Sequence, residues 1–195
     1  MTVAERELAR AALQQWANVA NVSFSEMVET SSNVGDFRFA YSSYVNDLHA
    51  GGYCAMPAFG VSASDVWIAP KLKLGGNFDY YVPFLLLHEI GHGLGLKHPF
   101  DDWNRTLPTL PAETDTTQFS VMSYTANPRY EFWKPDGNGS YVFAPVYPTT
   151  PMLYDMQAIH YLYGPNMGFH AAADVYSFGA IHTSLAETPK AGIAQ

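Results

Sequence analysis

The eleven residues from His88 to His98 constrain this chain more than any other part of its sequence. They read His-Glu-Ile-Gly-His-Gly-Leu-Gly-Leu-Lys-His. The run from Val82 to Leu94 predicts a helix that contains the first two histidines. Residues i and i+4 of a helix share a face, so His88 and His92 project side by side. Gly95 can take a left-handed conformation, end the helix and turn the chain back towards them. The segment therefore predicts three imidazoles, the third from His98, that converge on one metal ion.

Glu89 supplies a carboxylate beside this cluster. It lies one residue beyond His88, about 100° further round the helix, where it reaches a water held by the metal and not the metal itself. Three neutral imidazoles are typical of catalytic zinc, and the full charge of the ion makes such a water acidic near neutral pH. Glu89 is the predicted general base. A zinc site that binds peptides or an inhibitor without hydrolysing them is the alternative, and the intact Glu89 argues against it.

Composition sets the class of protein. The chain has 195 residues, of which 48% are hydrophobic and 14% charged, which favours one globular domain. A net charge of −8 argues against a nucleic-acid partner. No apolar run approaches the length of a membrane span, and charged residues stand where a secretory signal needs an apolar run. Cys54 is the single cysteine, so no internal disulfide forms; it is interpreted as a small buried hydrophobe.

Periodicity predicts an α+β domain. The predicted segments are a helix at 2–20, strands at 34–41, 53–59 and 65–69, and helices at 82–94 and 152–163. The stretch 99–151 is expected to be loop-rich. Its turn at 135–139 is interpreted as a plain turn, with calcium ligands as the alternative.

A second motif follows the histidines, at Ser120-Val121-Met122-Ser123-Tyr124. A methionine in a tight turn beneath the metal site provides an apolar, polarisable floor. Residues 88–98 and 120–124 together match the long zinc motif and the Met-turn of the metzincins. Within that group the chain resembles the serralysins, secreted bacterial metalloproteases. The resemblance covers roughly residues 4–178. Besides the two motifs, it is carried by the segments 35–39, 115–119, 153–159 and 162–164.

The resemblance implies a fold and an activity. It implies a zincin-like catalytic domain at 1–178, with a twisted mixed sheet, an active-site helix and an irregular lower subdomain. A weakly structured tail is expected at 179–195. The implied activity is zinc-dependent hydrolysis of internal peptide bonds in protein substrates, outside the cell, with a proteinaceous inhibitor as a further candidate partner.

The resemblance also implies residue roles. His88, His92 and His98 hold zinc, and Glu89 is the base. Met122 lies in the Met-turn. Tyr124 ligates the metal at rest and swings away to stabilise the oxyanion. The strand that contains Val66, Trp67 and Ile68 forms the cleft edge, to which an extended substrate adds as a further strand.

The sequence departs from the serralysin pattern in three ways. It begins at the first helix, so the preceding strand is expected to be rearranged, supplied by another chain or cut away. No inhibitory pro-segment is visible. The glycine-aspartate repeats of the calcium-binding domain are also not visible, and residues 173–178 resemble only their lead-in. Structural calcium, the secretion route and the oligomeric state are therefore left open.

The other histidines and three aspartates near the motifs are not assigned to the metal site. The other histidines lack ligand spacing and are interpreted as structural or surface residues: His49, His160, His170 and His182. Three aspartates lie near the motifs: Asp101, Asp102 and Asp115. They are interpreted as solvated or loop-capping residues. As the alternative, one of them orients a ligand imidazole, and the sequence does not distinguish among them.

Overall fold

The computed structural model describes residues 1–58, 60–75, 79–102, 105–127 and 131–171. Its helices are α1 (Val3–Val19), α2 (Tyr44–Asp47), α3 (Val82–Gly93) and α4 (Leu153–Tyr163). Its strands are β1 (Phe39–Tyr41), β2 (Gly52–Cys54), β3 (Val66–Ile68), β4 (Glu131–Pro135) and β5 (Tyr141–Pro145). The predicted α+β class is confirmed. The strands predicted at 34–41 and 53–59 are shorter than expected, and residue 59 lies outside the described residues.

Helix α3 runs through the centre of the core. Its apolar side chains point in all directions and are buried, among them Leu86, Leu87 and Ile90, as expected for a helix that is hydrophobic all round. Helix α1 packs along it: the fully buried Trp16 donates from its indole nitrogen to the Leu87 carbonyl at 3.1 Å. A capping box between Thr2 and Glu5 starts α1.

The first three strands form one mixed sheet in the order β1-β3-β2. Strand β3 is parallel to β1 and antiparallel to β2. Both sides of β3 are therefore paired, and the prediction that Val66, Trp67 and Ile68 form the cleft edge is wrong. Strand order depends on pairings between distant residues, which the apolar pattern of a single strand does not encode. Within the described residues, the outer strand next to α3 is β2.

Strands β4 and β5 form an antiparallel hairpin where a loop was expected. Trp133 and Phe143 face each other across it with ring centroids 3.9 Å apart, a pairing that stabilises such ladders. At the turn, Asp136 Oδ1 accepts the amides of Asn138 at 2.8 Å and Ser140 at 3.0 Å. These bonds support the interpretation of 135–139 as a plain turn. The turn residues were visible in the sequence, but their flanking strands were missed.

Helix α4 packs against the C-terminal end of α1. His160 Nε2 lies 2.8 Å from the Val19 carbonyl, and the Asn21 amide donates to the Gly164 carbonyl at 2.9 Å. The predicted boundary between a domain at 1–178 and a tail at 179–195 lies outside the described residues. Among the helices that are described, none combines the length and the apolarity that a bilayer crossing requires.

Candidate functional site

The end of α3 returns the chain towards the helix. Gly95 has a φ of 100°, in the left-handed region that glycine adopts without steric cost. The Leu96 amide donates to the Gly91 carbonyl and the Gly95 amide to the His92 carbonyl, each at 2.9 Å. This pair of bonds is a Schellman motif. The bend predicted at Gly95 is confirmed, and it places His98 beside the helical histidines.

The three predicted ligand histidines lie together. The Nε2 atom of His98 is 3.0 Å from that of His92 and 3.3 Å from that of His88. Within the described part of the chain, they form the one group of three or more histidine, cysteine or acidic side chains whose ligand atoms converge. Two come from one face of α3 and the third from the loop after it.

Hydrogen bonds on the far side of each ring orient these nitrogens. Each Nδ1 atom lies 2.8 Å from an oxygen acceptor, namely the Val121 carbonyl for His88, the Leu96 carbonyl for His92 and Asp101 Oδ2 for His98. An acceptor at this position places the ring proton on Nδ1, so the Nε2 atom presents a lone pair. Three lone pairs therefore point at one another.

This arrangement fits a zinc ion. A tetrahedral zinc with imidazole bonds of about 2.0–2.1 Å places its ligand nitrogens about 3.3 Å apart, close to the observed 3.0 and 3.3 Å. Burial, together with the neighbouring histidines, lowers the pKa of His88 to about 3, and burial chiefly lowers that of His92 to about 4. Both rings are neutral near pH 7, the form that ligates a metal.

Glu89 is buried between the histidines and β2. It is 4% exposed, and burial raises the pKa of its carboxyl to about 8; a cation nearby would oppose this shift. Gly52 on β2 allows the close approach, because a β-carbon there would lie 2.5 Å from Glu89 Oε1. The side chain thus lines the cleft beside the converging nitrogens, where the sequence predicted the base.

Cys54, also on β2, is buried. Burial, with the charges of Glu89 and Asp65, raises the pKa of its thiol to about 12. The thiol is therefore protonated at neutral pH, and the interpretation of Cys54 as a small buried hydrophobe is confirmed.

The predicted Met-turn lies directly under the active-site helix. Met122 is buried, and its sulfur lies 2.6 Å from where a β-carbon on Gly91 would stand. Only glycine in α3 leaves room for that sulfur. The same turn supplies the Val121 carbonyl that orients His88. The turn therefore lies under the candidate site and also supports one of the predicted ligands.

A buried aspartate that the sequence did not single out holds this turn. Asp155 on α4 accepts from Ser120 Oγ at 2.6 Å and from the amides of Val121 at 2.7 Å and Met152 at 2.8 Å. Burial raises its pKa to about 6, against the opposing effect of these hydrogen bonds. Its place in the first turn of a predicted helix is typical of a residue that caps its own helix. That place does not indicate the contact with the Met-turn.

Tyr124 stands at the rim of the cluster. Its ring centroid is 4.5 Å from that of His98 and 5.5 Å from that of His88, and the residue is 69% exposed. The ring of Phe100 also lies against it, 5.1 Å away. An exposed ring beside the histidines is free to present its hydroxyl to a bound molecule.

The structure separates the residues that the sequence left ambiguous. Of the three candidate aspartates, Asp101 contacts the predicted ligand His98, whereas the Asp102 side chain is exposed. His49 lines the cleft but does not join the converging group, and His160 binds the end of α1. His182 lies outside the described residues.

Two cavities flank Glu89 and Tyr124. The first, of about 280 Å³, extends along β2 past Tyr53 towards His98. The second, of about 370 Å³, is walled by the rings of Tyr81, Phe84 and Tyr147. Tyr147 stacks on Phe84 with centroids 4.6 Å apart. The cluster thus lies in a cleft with room for side chains on both sides.

Comparisons with known proteins point to one family. No family model matches the chain. It is 34% identical to serralysin C of Dickeya chrysanthemi over 181 residues, which cover 88% of this chain and 36% of that protein. It is 31% identical to metalloprotease AprA of Pseudomonas entomophila (strain L48) over 182 residues, again 88% of this chain and 36% of that protein.

The chain therefore spans little more than a third of the length of these curated relatives. Among solved structures, myroilysin aligns with a TM-score of 0.48 and 18% identity, over 85% of this chain and 89% of that one. The similarity to the serralysins spans most of this chain, including its two motifs. Over most of its length, the chain is therefore serralysin-like.

Proposed function

We propose that this chain is a zinc-dependent endopeptidase that hydrolyses internal peptide bonds of protein substrates outside the cell. The observation that carries the proposal is the convergence of three Nε2 atoms, from His88, His92 and His98, beside the buried carboxylate of Glu89. The names of the similar proteins, serralysin and metalloprotease, support it.

The residues have distinct roles in the proposed reaction. A bound zinc supplies the Lewis acidity that makes water acidic enough to be a nucleophile near neutral pH and that polarises the scissile carbonyl. Glu89 accepts the proton of the attacking water at its carboxylate and later donates it to the leaving amine. Tyr124 donates its hydroxyl hydrogen to the oxyanion that develops on the carbonyl oxygen.

The cleft supports an extended substrate. Strand β2 lies beside Glu89 and pairs with β3 on one side. Its other side is the place where a substrate segment can add as an antiparallel strand, with alternate side chains entering the two cavities. This arrangement holds the cut bond within the chain of the substrate and not at its end, which is the requirement for an endopeptidase.

A protease assay tests the proposal. Zinc-loaded protein is expected to cleave unfolded casein, and 1,10-phenanthroline is expected to abolish cleavage. Glu89→Gln is expected to retain one zinc per chain and to lose activity by at least about 100-fold, because the base is lost while the ligands remain. The proposal fails if the zinc-loaded wild type leaves casein intact. Stoichiometric zinc with peptide binding and no cleavage would instead identify a binding module.

A further inference from the structure

The third ligand histidine differs from the other two in how it is held. His88 and His92 project from a helix whose backbone fixes their direction. The Nδ1 atom of each ring lies within hydrogen-bond distance of a backbone carbonyl. His98 lies beyond the end of the helix, in a loop. Helix geometry therefore does not orient its ring, and the orientation must come from the loop itself.

The loop supplies that orientation through Asp101. Its Oδ2 atom lies 2.8 Å from His98 Nδ1, and its amide donates to the His98 carbonyl at 3.2 Å. Lys97 closes the loop by donating from Nζ to the carbonyls of Asp101 at 2.8 Å and His98 at 3.1 Å. The Phe100 ring stacks on the His98 imidazole, with ring centroids 4.9 Å apart and an interplanar angle of 5°. The ring is held at its edge and across its face.

The acceptor on His98 also differs in charge. A carboxylate accepts a stronger hydrogen bond than a carbonyl does. It withdraws the Nδ1 proton towards itself, and so raises the electron density that Nε2 offers to a cation. Asp101 is partly buried, at 27% side-chain exposure, which limits screening of this effect by water.

We propose that Asp101 is a positioning residue: it fixes the ring of His98 towards the other two imidazoles and strengthens it as a metal ligand. The inference rests on the metal site of the proposed function. It assigns to the loop 97–101 the task that the helix performs for His88 and His92, and it makes Asp101 a determinant of metal affinity without contact to the metal.

Two substitutions separate orientation from charge. Asp101→Asn keeps the shape and an acceptor oxygen but removes the negative charge. Asp101→Ala removes both. The matched controls are Asp102→Asn and Asp102→Ala, because Asp102 is the next residue, carries the same charge and has an exposed side chain. Its backbone carbonyl, which accepts the amides of Thr106 and Leu107, is retained in both controls.

The measurement is zinc affinity, by equilibrium competition with a chromogenic chelator. We expect the dissociation constant to rise about 10-fold in Asp101→Asn and about 100-fold in Asp101→Ala, and to change less than about 2-fold in both controls. Cobalt(II) provides a second readout, since the intensity of its visible absorption reports coordination geometry. A weaker or shifted spectrum is expected for Asp101→Ala, with partial rescue in Asp101→Asn.

Thermal unfolding of the metal-free variants distinguishes a local effect from loss of the fold, and Asp101→Asn serves if Asp101→Ala does not fold. Equal zinc affinity and equal cobalt spectra in the Asp101 and Asp102 variants would overturn the inference. A wild type that binds zinc but does not cleave casein would refute the proposed function, while the affinities would still decide the role of Asp101. A wild type that binds no zinc would refute both.

Discussion

At the scale of single residues, the site combines groups of opposite exposure. Glu89 is 4% exposed and Tyr124 is 69% exposed, although both line the same two cavities. A buried carboxylate has a fixed position and a raised pKa, which suits proton transfer. An exposed phenol can move, which suits a group required only when a substrate carbonyl arrives.

Tyr124→Phe tests that division of roles. The hydroxyl is proposed to act mainly in the transition state, so we expect kcat to fall about 100-fold and KM to change less than about 3-fold. Because the residue is 69% exposed, little change in stability is expected. Steady-state kinetics on a fluorogenic peptide give both constants. Tyr161→Phe, on a residue that is 90% exposed on α4, is the matched control. Equal effects on kcat and KM would contradict the proposed role of Tyr124.

At the scale of elements, the sequence predicted what depends on neighbouring residues. The spacing of His88 and His92 and the bend at Gly95 follow from local helix geometry, and the structure contains both features. Strand order does not follow from local pattern, so β3 was predicted to be an edge strand, whereas in the described residues it lies between β1 and β2. Residues 131–145 were expected to be loop because their proline and glycine content obscured the cross-strand aromatic pair.

Helix α1 offers a prediction on pH. Burial alone would raise the pKa of Glu5, but bonds from the Thr2 amide at 2.6 Å and the Tyr41 hydroxyl at 2.7 Å outweigh it and hold the pKa at about 2. Because this value lies below the ordinary 4.5, the ionised carboxylate stabilises the fold above pH 4.5, and this contribution is lost as the pH falls towards 2. We expect Glu5→Gln to lower the free energy of unfolding by about 1 kcal/mol at pH 7 and by nearly nothing at pH 2.

Urea unfolding at a series of pH values between 7 and 2 measures this difference. Glu7→Gln is the control on the same helix, because Glu7 is exposed and pairs with Arg10 on the surface. A difference between wild type and Glu5→Gln that stays constant across the series would show that the Glu5 bonds do not depend on its charge.

At the scale of the whole molecule, the site is assembled from distant parts of the chain. Helix α3 provides two histidines, and the Met-turn orients one of them through Val121. Asp155 on α4 anchors that turn, and Trp16 on α1 packs behind α3. The sequence predicted the three histidines and Glu89 as a group because they share one short segment. It did not reveal Asp155 or choose Asp101, because their partners are fixed only when these elements pack together.

The central claim is that three imidazoles bind a single zinc ion with a carboxylate beside it. Anomalous diffraction at the zinc edge, from a crystal of the zinc-loaded protein, tests it most directly. The expected result is one ion about 2.0–2.1 Å from Nε2 of His88, His92 and His98, with Glu89 near it but not bound to it. An ion bound elsewhere, or these rings turned apart in the presence of excess zinc, would contradict the claim.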